Sequence, residues 1–333
     1  MPVLSNRVGL FTESIIRRMT RISNLRNAVN LSQGFPDFDP PPELRYALKK
    51  VSEDGPHQYA ITWGAPEFRK ALAEKQEKFM GIPVDPEKNI VVTCGSTEAM
   101  IAAMLTVCNT SNPSGKVFSI EELMVISRLA VEFDVFVITD EVYEHIVYKP
   151  YKHVYIASLP GMSERTISCS SLSKTYSITG WRLGYIIAPG YIIDSARKVH
   201  DFLTVGAAAP LQEAAIAGLT LSENYYKDLR NSYTGKREIF LKMLDEAGIK
   251  YTRPQGAYYV MCDISEFGSG SDIEFCEWMA MEVGVGAVPG SSFFRTKENR
   301  YIRFHFAKKE ETLRQAGVRL LTLRDKALAK FKK

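Results

Sequence analysis

A phosphate-binding site is predicted where a strand-like run passes into a helix. Residues Ile90–Thr93 form a short apolar, β-branched run, and Gly95, Ser96 and Thr97 open the helical pattern that follows. The free N–H groups of a helix N-terminus, two hydroxyls and the helix dipole together suit a bound phosphate. Because Ser and Thr are also the usual N-cap residues, this stretch alone fits an ordinary helix start better than a ligand site.

A carboxylate and a phenol lie at the end of a second predicted strand. Asp140 directly follows the strand-like run 135–139, and Tyr143 comes three residues later. In an α/β sheet, ligands gather at the carboxyl ends of the strands, so this position points to a ligand site. Taken alone, an aspartate at a strand end is often only a turn former.

Four further polar residues are of types that can take part in binding or catalysis. Lys174 ends a loop of small residues, and Arg182 lies eight residues further on. Asn112 opens the Asn-Pro-Ser-Gly sequence at 112–115, which by itself is an ordinary turn pattern. Arg303 stands inside the otherwise apolar strand-like run 301–306. A buried guanidinium requires a carboxylate partner, which either the protein or a substrate can provide.

Together these groups have the chemistry needed to hold pyridoxal phosphate. Lys174 would form the Schiff base with the aldehyde and, once released as a free amine, would move a proton. Asp140 would keep the pyridine nitrogen protonated, which makes the ring a better electron sink. Asn112 and Tyr143 would donate to the phenolic oxygen, while Arg182 and the Ser and Thr hydroxyls would neutralise the phosphate.

The chain resembles the class I/II aminotransferases of the aspartate aminotransferase superfamily, which are fold type I pyridoxal-phosphate enzymes. The matching motifs run in order over nearly the whole chain. They are 31–38 (LSQGFPDF), 59–64 (YAITWG), 112–115 (NPSG), 139–143 (TDEVY), 171–175 (SLSKT), 180–184 (GWRLG) and Arg303. The resemblance implies a transaminase that moves an amino group from an amino acid to a 2-oxo acid.

The same resemblance implies a role for each site residue. Lys174 would be the Schiff-base lysine, and Asp140 would contact the ring nitrogen. The other implied contacts are Ser96, Thr97, Ser171 and Arg182 at the phosphate, Asn112 and Tyr143 at the phenolic oxygen, and Arg303 with the Gly34 backbone at the substrate carboxylate. Tyr59 would reach the phosphate of a neighbouring subunit, which implies a homodimer with active sites at its interface.

Donor choice is predicted from two positions. The QGFPDF sequence at 33–38 is similar to that of the kynurenine, glutamine and methionine aminotransferases. Thr97 stands where some bacterial aspartate-type relatives carry a lysine for the distal carboxylate. We therefore expect an aromatic, methionine, kynurenine or glutamine-type donor. Two alternatives stay open: a C–S lyase or cyclopropane-forming synthase of the same fold, and a catalytically impaired binding protein.

Strand-like runs alternate with helix-like runs along the chain. This pattern predicts an α/β fold, with a mostly parallel sheet covered by helices on both faces and a smaller α+β domain. Strands are predicted at 90–93, 135–139, 165–170, 257–261, 285–288 and 301–306, and helices at 97–108, 120–133, 272–282 and 310–333. We assign 1–35 to an N-terminal arm and part of the small domain, 36–240 to the large cofactor domain and 241–333 to the small domain.

One connection in this fold is too short. A helix over 97–108 ends about 16 Å from its start, yet Asn112 must lie back at the functional edge. The residues between them span at most about 14 Å and contain no strand. We predict that a segment is missing between Asn109 and Thr110, including the aromatic residue that stacks on the pyridine ring in relatives. Either part of the protein is absent from these 333 residues, or the chain is a true deletion variant with impaired cofactor binding.

Composition excludes several other classes. The 42 basic and 38 acidic residues leave a formal net charge of +4, which disfavours nucleic-acid binding. The longest nearly apolar run, 100–108, is too short to cross a bilayer, so no membrane partner is expected. Five scattered cysteines without a CxxC pair suit reduced thiols in a cytoplasmic protein. Neither Cys nor His has metal-ligand spacing, so no metal site is predicted.

Overall fold

The computed structural model describes residues 13–104, 113–294 and 298–331. In these residues the α-helices are α1 (Ile15–Leu25), α2 (Pro42–Asp54), α3 (Pro66–Met80), α4 (Ser96–Met104), α5 (Ile120–Glu132), α6 (Gly190–Thr204), α7 (Ala209–Leu219), α8 (Glu223–Glu246), α9 (Asp272–Trp278), α10 (Glu310–Leu320) and α11 (Leu323–Phe331). The β-strands are β1 (Val29–Asn30), β2 (Ile90–Thr93), β3 (Val137–Asp140), β4 (Thr166–Ser171), β5 (Gly184–Ile187), β6 (Lys250–Thr252), β7 (Tyr259–Asp263), β8 (Val285–Gly286), β9 (Val288–Pro289) and β10 (Tyr301–His305).

A four-stranded sheet in the order β2-β5-β4-β3 lies at the centre of the larger part of the chain. The β3–β4 pair is parallel, whereas β4–β5 and β2–β5 are antiparallel, so the described sheet is mixed. Side chains of α4 and α6 pack on one face of this sheet, and those of α3 and α7 pack on the other. The predicted α/β fold with helices on both faces is therefore confirmed.

A second sheet, in the order β6-β7-β10-β9, carries the C-terminal part of the chain. Its ladders are antiparallel, and α8 and α10 pack against it through buried residues such as Phe240 and Leu313. The short parallel pair β1–β8 ties the N-terminal segment to this region. Helix α8 crosses the predicted boundary at 240, since Tyr226 lies in the core of the first sheet and Phe240 in that of the second. The three-part division stays a prediction.

Several element boundaries differ from the prediction. Asp140 is the last residue of β3 rather than the residue after it, and α4 begins at Ser96. The stretch predicted as one strand at 285–288 is two strands, because β8 pairs with β1 while β9 pairs with β10. Helix α9 passes into a π-helix, Met279–Val283. Helix α5, predicted at 120–133, begins with a capping box of Ser119 and Glu122.

The predicted C-terminal helix at 310–333 is wrong as a single element. It is two helices, α10 and α11, with the break at Leu321 and Thr322. The N–H and the hydroxyl of Thr322 both donate to the carbonyl of Arg319, which tightens the last turn and interrupts the regular i to i−4 ladder. Leu320 and Leu323 on either side of the break are fully buried, so packing holds both helices.

Strand β3 lies at an edge of the central sheet, since among the described residues it pairs only with β4. A cavity of about 300 Å³ opens beside it. Helix α5 covers the neighbouring region and leaves several apolar side chains exposed, including Ile120, Met124 and Leu129. Asn109 and Thr110, between which we predict a missing segment, lie outside the described residues. So does the predicted end of α4 at Cys108.

No helix in the described part of the chain is long and apolar enough to span a bilayer. The same part of the chain contains no group of His, Cys, Asp and Glu side chains arranged to hold a metal ion.

Candidate active site

The start of α4 and the residue Arg182 form a cradle for an anion. Gly95 has a φ of +84°, and a Cβ atom there would overlap the Arg182 guanidinium. A Cβ atom at Gly184 would overlap the backbone of Gly95 and Ser96, so the start of β5 lies directly against the helix start, and Arg182 comes two residues before this strand. The helix N-terminus and the guanidinium therefore act on the same space, as phosphate binding requires. Within this cradle Ser96 is half-buried and Thr97 is exposed.

The loop after β4 carries hydroxyl groups toward the same region. Ser171 is buried, and its Oγ accepts a hydrogen bond from the N–H of Ser173 at 3.4 Å. The Oγ of Ser173 is buried and has no hydrogen-bond partner among the described residues. A buried hydroxyl without a partner is costly, so its position next to Lys174 fits a site that a ligand completes.

Lys174 lies between the loop and the N-terminal segment. Its Nζ donates to the carbonyl oxygen of Gly34 at 3.2 Å, and the hydroxyl of Tyr258 donates to the same oxygen at 3.2 Å. Burial and the positive charge of Arg182 lower the pKa of Lys174 to about 8, against the opposing attraction of Asp140. A substantial fraction of this amine is therefore neutral at mildly alkaline pH, as a nucleophilic lysine requires.

Asp140 ends β3 at the open edge of the sheet. Its Oδ1 accepts a hydrogen bond from the N–H of Val142 at 3.1 Å. The side chain is exposed to the cavity, yet the cavity walls remove enough surrounding water to raise its pKa to about 6, and the neighbouring Glu141 acts in the same direction. Above pH 6 the carboxyl group is mainly ionised, so it can hold a proton on a basic ring nitrogen.

Arg303 and Tyr143 meet at one aromatic side chain, Tyr259. The guanidinium carbon of Arg303 lies 4.2 Å from the ring centroid of Tyr259 and 4.4 Å from that of Phe293. The hydroxyl of Tyr143 donates to the hydroxyl of Tyr259 at 3.1 Å. Burial and the neighbouring tyrosines raise the pKa of Tyr143 well above its usual range, so it stays a proton donor. The sequence analysis did not identify Tyr259, because a tyrosine in a strand has no distinguishing spacing.

Two predicted site residues remain. Asn112 lies outside the described residues, and Tyr59 is not brought to this group. Tyr59 is a surface residue with 88% of its area exposed, so its predicted contact with a neighbouring subunit requires a second chain to cover it.

A buried carboxylate holds the turn that presents Tyr143. Glu144 accepts hydrogen bonds from Lys75 at 2.9 Å and Gln76 at 3.3 Å on α3, and also from the hydroxyl of Tyr155. Burial alone would raise the pKa of Glu144, but the charge of Lys75 holds it well below its usual range. Sequence reasoning missed this network because Lys75 and Gln76 lie 69 and 68 residues before Glu144, and only folding joins them.

A second missed network fixes the start of α4. Glu98 is buried in the first turn, where its carboxylate accepts hydrogen bonds from the Thr204 hydroxyl at 2.6 Å and the Cys94 N–H. Its Oε1 also lies 2.6 Å from Nδ1 of His200, and the other ring nitrogen of His200 lies 2.9 Å from the Thr62 carbonyl. The one available signal was an acidic residue in the first turn of a helix, which complements the helix dipole.

Comparison with known families identifies the chain. A family model described as Aminotransferase class I and II matches residues 26–109 and 101–320. This chain is a class I/II aminotransferase. The family binds pyridoxal phosphate, and the cradle, the orphaned Ser173 hydroxyl and the partly neutral Lys174 fit that cofactor.

Individual relatives of this aminotransferase match along most of their length. A methionine aminotransferase of Escherichia coli is 32% identical over 369 aligned positions, covering 93% of this chain and 96% of that protein. An aspartate aminotransferase of Pyrococcus abyssi is 31% identical, and the match covers 98% of this chain and 99% of that protein. The solved structure of N-succinyldiaminopimelate aminotransferase from Mycobacterium tuberculosis has a TM-score of 0.92 at 30% identity, covering 96% of this chain and 100% of that chain.

The alignments also carry information on length. The 369 aligned positions exceed the 333 residues of this chain, so the Escherichia coli relative has residues for which this chain has none. The family model matches in two parts that overlap at 101–109. A discontinuity in the match therefore falls in or beside this overlap, the same region in which the connection is too short.

We predict that Lys75→Met destabilises the aminotransferase by about 3–5 kcal/mol, because it leaves the Glu144 carboxylate buried without its cationic partner. Lys78→Met on the same helix is the control. Lys78 pairs with Glu223 on the surface, so its loss changes the free energy of unfolding by no more than about 0.5 kcal/mol. Urea unfolding followed by circular dichroism measures both variants, and equal effects would contradict a special role for Lys75.

A second prediction concerns how fast the apo chain captures pyridoxal phosphate. Only the neutral amine reacts with an aldehyde, so the rate rises about tenfold per pH unit below the pKa of Lys174 and levels off near pH 8. Stopped-flow absorbance between pH 6 and 10 follows the reaction, with Nα-acetyl-lysine as the unburied reference. A rate that keeps rising to pH 10, as for the reference, would show that the pKa of Lys174 is not lowered.

Proposed function

We propose that this chain transfers an amino group from an amino acid to a 2-oxo acid by way of pyridoxal phosphate held on Lys174. The observation that carries the proposal is the position of the Lys174 amine. It lies at the Gly34 carbonyl, within the electrostatic influence of Arg182, Asp140 and Arg303, in a chain that belongs to the aminotransferase family.

When bound, pyridoxal phosphate supplies an aldehyde that captures the amino group and a ring that withdraws electrons from the substrate. The protein residues hold and tune that group. The phosphate would be bound by Arg182, the N-terminus of α4 and the hydroxyls of Ser96, Thr97 and Ser171. Asp140, ionised above pH 6, would keep a proton on the ring nitrogen.

Proton movement is assigned to Lys174. Its pKa of about 8 leaves it able to accept a proton from the substrate α-carbon and to release it again near neutral pH. Tyr143 would donate to the phenolic oxygen of the cofactor, a role that its strongly raised pKa suits. Asn112 shares this assignment by resemblance alone, since it lies outside the described residues.

The substrate end of the site supports an apolar or aromatic amino donor. Arg303 is buried beneath the rings of Tyr259 and Phe293 and would bind the α-carboxylate bidentately. Aromatic walls favour apolar side chains over a second carboxylate. The named relatives include methionine, aromatic-amino-acid and kynurenine aminotransferases, although aspartate enzymes are among them too. We retain the aromatic, methionine, kynurenine or glutamine class.

A homodimer is the assembly we propose. Phe202, Leu203 and Val205 at the end of α6 are exposed, with Phe202 at 93%. This apolar surface adjoins the loop that carries Tyr59, because Gly206 lies against the backbone of Ala60 and Thr62. A second subunit covering both would bury the apolar residues and could receive Tyr59 at its phosphate site.

We also expect a cytoplasmic location, which the free thiols of Cys94, Cys169, Cys262 and Cys276 support.

We propose further that a segment is missing between Asn109 and Thr110. The unpaired edge of β3, the cavity beside it and the exposed apolar residues of α5 all support this, as does the alignment longer than the chain. The absence of this segment should weaken cofactor binding, because Asp140 lies at this edge and the predicted stacking residue belongs to the missing segment.

Substituting the proposed cofactor lysine tests the function. In Lys174→Ala the visible absorbance band formed with pyridoxal phosphate disappears, and amino transfer falls at least about a thousandfold. Exposed Lys198→Ala on α6 is the control and retains both. Each amino acid is then added to the chain with bound pyridoxal phosphate. The amino acid that abolishes the band is the donor. If the unaltered chain forms no band with excess pyridoxal phosphate, the proposed function is wrong.

Restoring the missing segment tests its contribution. A chain that carries the matching segment of the Escherichia coli methionine aminotransferase between Asn109 and Thr110 should bind pyridoxal phosphate about tenfold more tightly, because ring stacking is recovered. Fluorescence titration gives the dissociation constants. An insertion of equal length rich in Gly and Ser is the control and brings no gain. Equal affinity for all three chains would contradict the proposal.

A further inference from the structure

We propose that Tyr259 is a positioning residue that holds Tyr143 through its hydroxyl and Arg303 through its ring. This inference rests on the proposed function, since it concerns the residues assigned to the cofactor phenol and the substrate carboxylate. The family motifs that assign roles to Tyr143 and Arg303 include no residue from the strand β7, on which Tyr259 is the first residue.

The hydroxyl of Tyr259 has one well-defined place. The side chain is 5% exposed, and its Oη lies 3.1 Å from the hydroxyl of Tyr143. It also lies so close to Gly34 that a Cβ atom there would overlap it, so the hydroxyl cannot move toward the N-terminal segment. The hydroxyl of the neighbouring Tyr258 gives its proton to the Gly34 carbonyl, so it is not the group that donates to Tyr143.

This hydrogen bond can reverse its direction when a ligand is present. Without one, Tyr143 donates to Tyr259. When Tyr143 donates to the phenolic oxygen of a cofactor, its own oxygen becomes an acceptor, and the Tyr259 hydroxyl is the group placed to donate to it. Donation from Tyr259 strengthens the Tyr143 hydrogen bond by polarising it, so more negative charge is withdrawn from the phenolic oxygen.

The ring of Tyr259 holds Arg303 in position. Its centroid lies 4.2 Å from the guanidinium carbon of Arg303, within the range of a cation–π contact. Phe293 makes a similar contact at 4.4 Å. Since Arg303 lies in β10, which pairs directly with β7, the strand pairing fixes the Tyr259 ring beside the guanidinium. One side chain therefore links the cofactor end of the site to the carboxylate end.

Two substitutions separate the hydroxyl from the ring. Tyr259→Phe removes only the hydroxyl, so the pH midpoint of the colour change of bound pyridoxal phosphate should rise by about half a unit or more. The reason is that the less strongly bound phenolic oxygen keeps more negative charge and holds a neighbouring proton to higher pH. Binding of a carboxylate substrate, measured as KM, should change less than about twofold. Tyr259→Leu removes the ring as well and should raise KM about fivefold to tenfold.

Tyr148→Phe is the matched control. Tyr148 is equally buried, and its hydroxyl donates to the Ala257 carbonyl. This variant should leave both the pH midpoint and KM unchanged, and thermal unfolding shows whether all three variants are folded. The inference is wrong if Tyr259→Phe leaves the midpoint unchanged, or if Tyr148→Phe moves it as far.

A measurement without cofactor distinguishes failure of this inference from failure of the proposed function. In the apo chain, the effects of Tyr143→Phe and Tyr259→Phe on the denaturation midpoint should not add, because each removes the same hydrogen bond. Non-additive effects in a chain that forms no band with pyridoxal phosphate would sustain the positioning role and refute the function. Additive effects would refute the positioning role.

Discussion

The close approach of β5 to the start of α4 is the constraint on which the site depends. Gly184 and Gly95 leave no room for a Cβ atom between the strand and the helix, so Arg182 reaches the helix N-terminus directly. Two sources of positive charge then share one small volume. Burial lowers the pKa of the nearby Lys174, and the charge of Arg182 acts in the same direction, so the amine is partly neutral. Arg182 thus contributes both to the anion cradle and to the lowered pKa of the lysine.

Buried polar networks hold the remaining parts of the site in place. Glu144 anchors the turn after β3 to α3, and Glu98 anchors the start of α4 to α6 and to the loop before α3. Neither carboxylate is among the residues predicted to contact a ligand. Each is costly to bury and is stabilised by several donors, so each network admits one arrangement of the segments it joins.

Among the residues that the structure describes, β3 lies at an edge of the central sheet. An edge strand exposes unpaired backbone groups and is usually covered or shortened. Here the strand ends in Asp140, the carboxylate assigned to the cofactor ring, and the cavity beside it leaves that group exposed.

The sequence by itself determined the α/β fold, the capped helix α5 and most strands of both sheets, because periodicity and capping are local properties. Spacing along the chain also placed Lys174 in the loop after β4 and Arg303 inside β10. Only the tertiary structure decided that β3 ends at Asp140, that the C-terminal helix breaks at Thr322, and that Tyr259 joins Tyr143 to Arg303. These features depend on contacts between residues distant in sequence, whose energies appear only once burial brings the groups together.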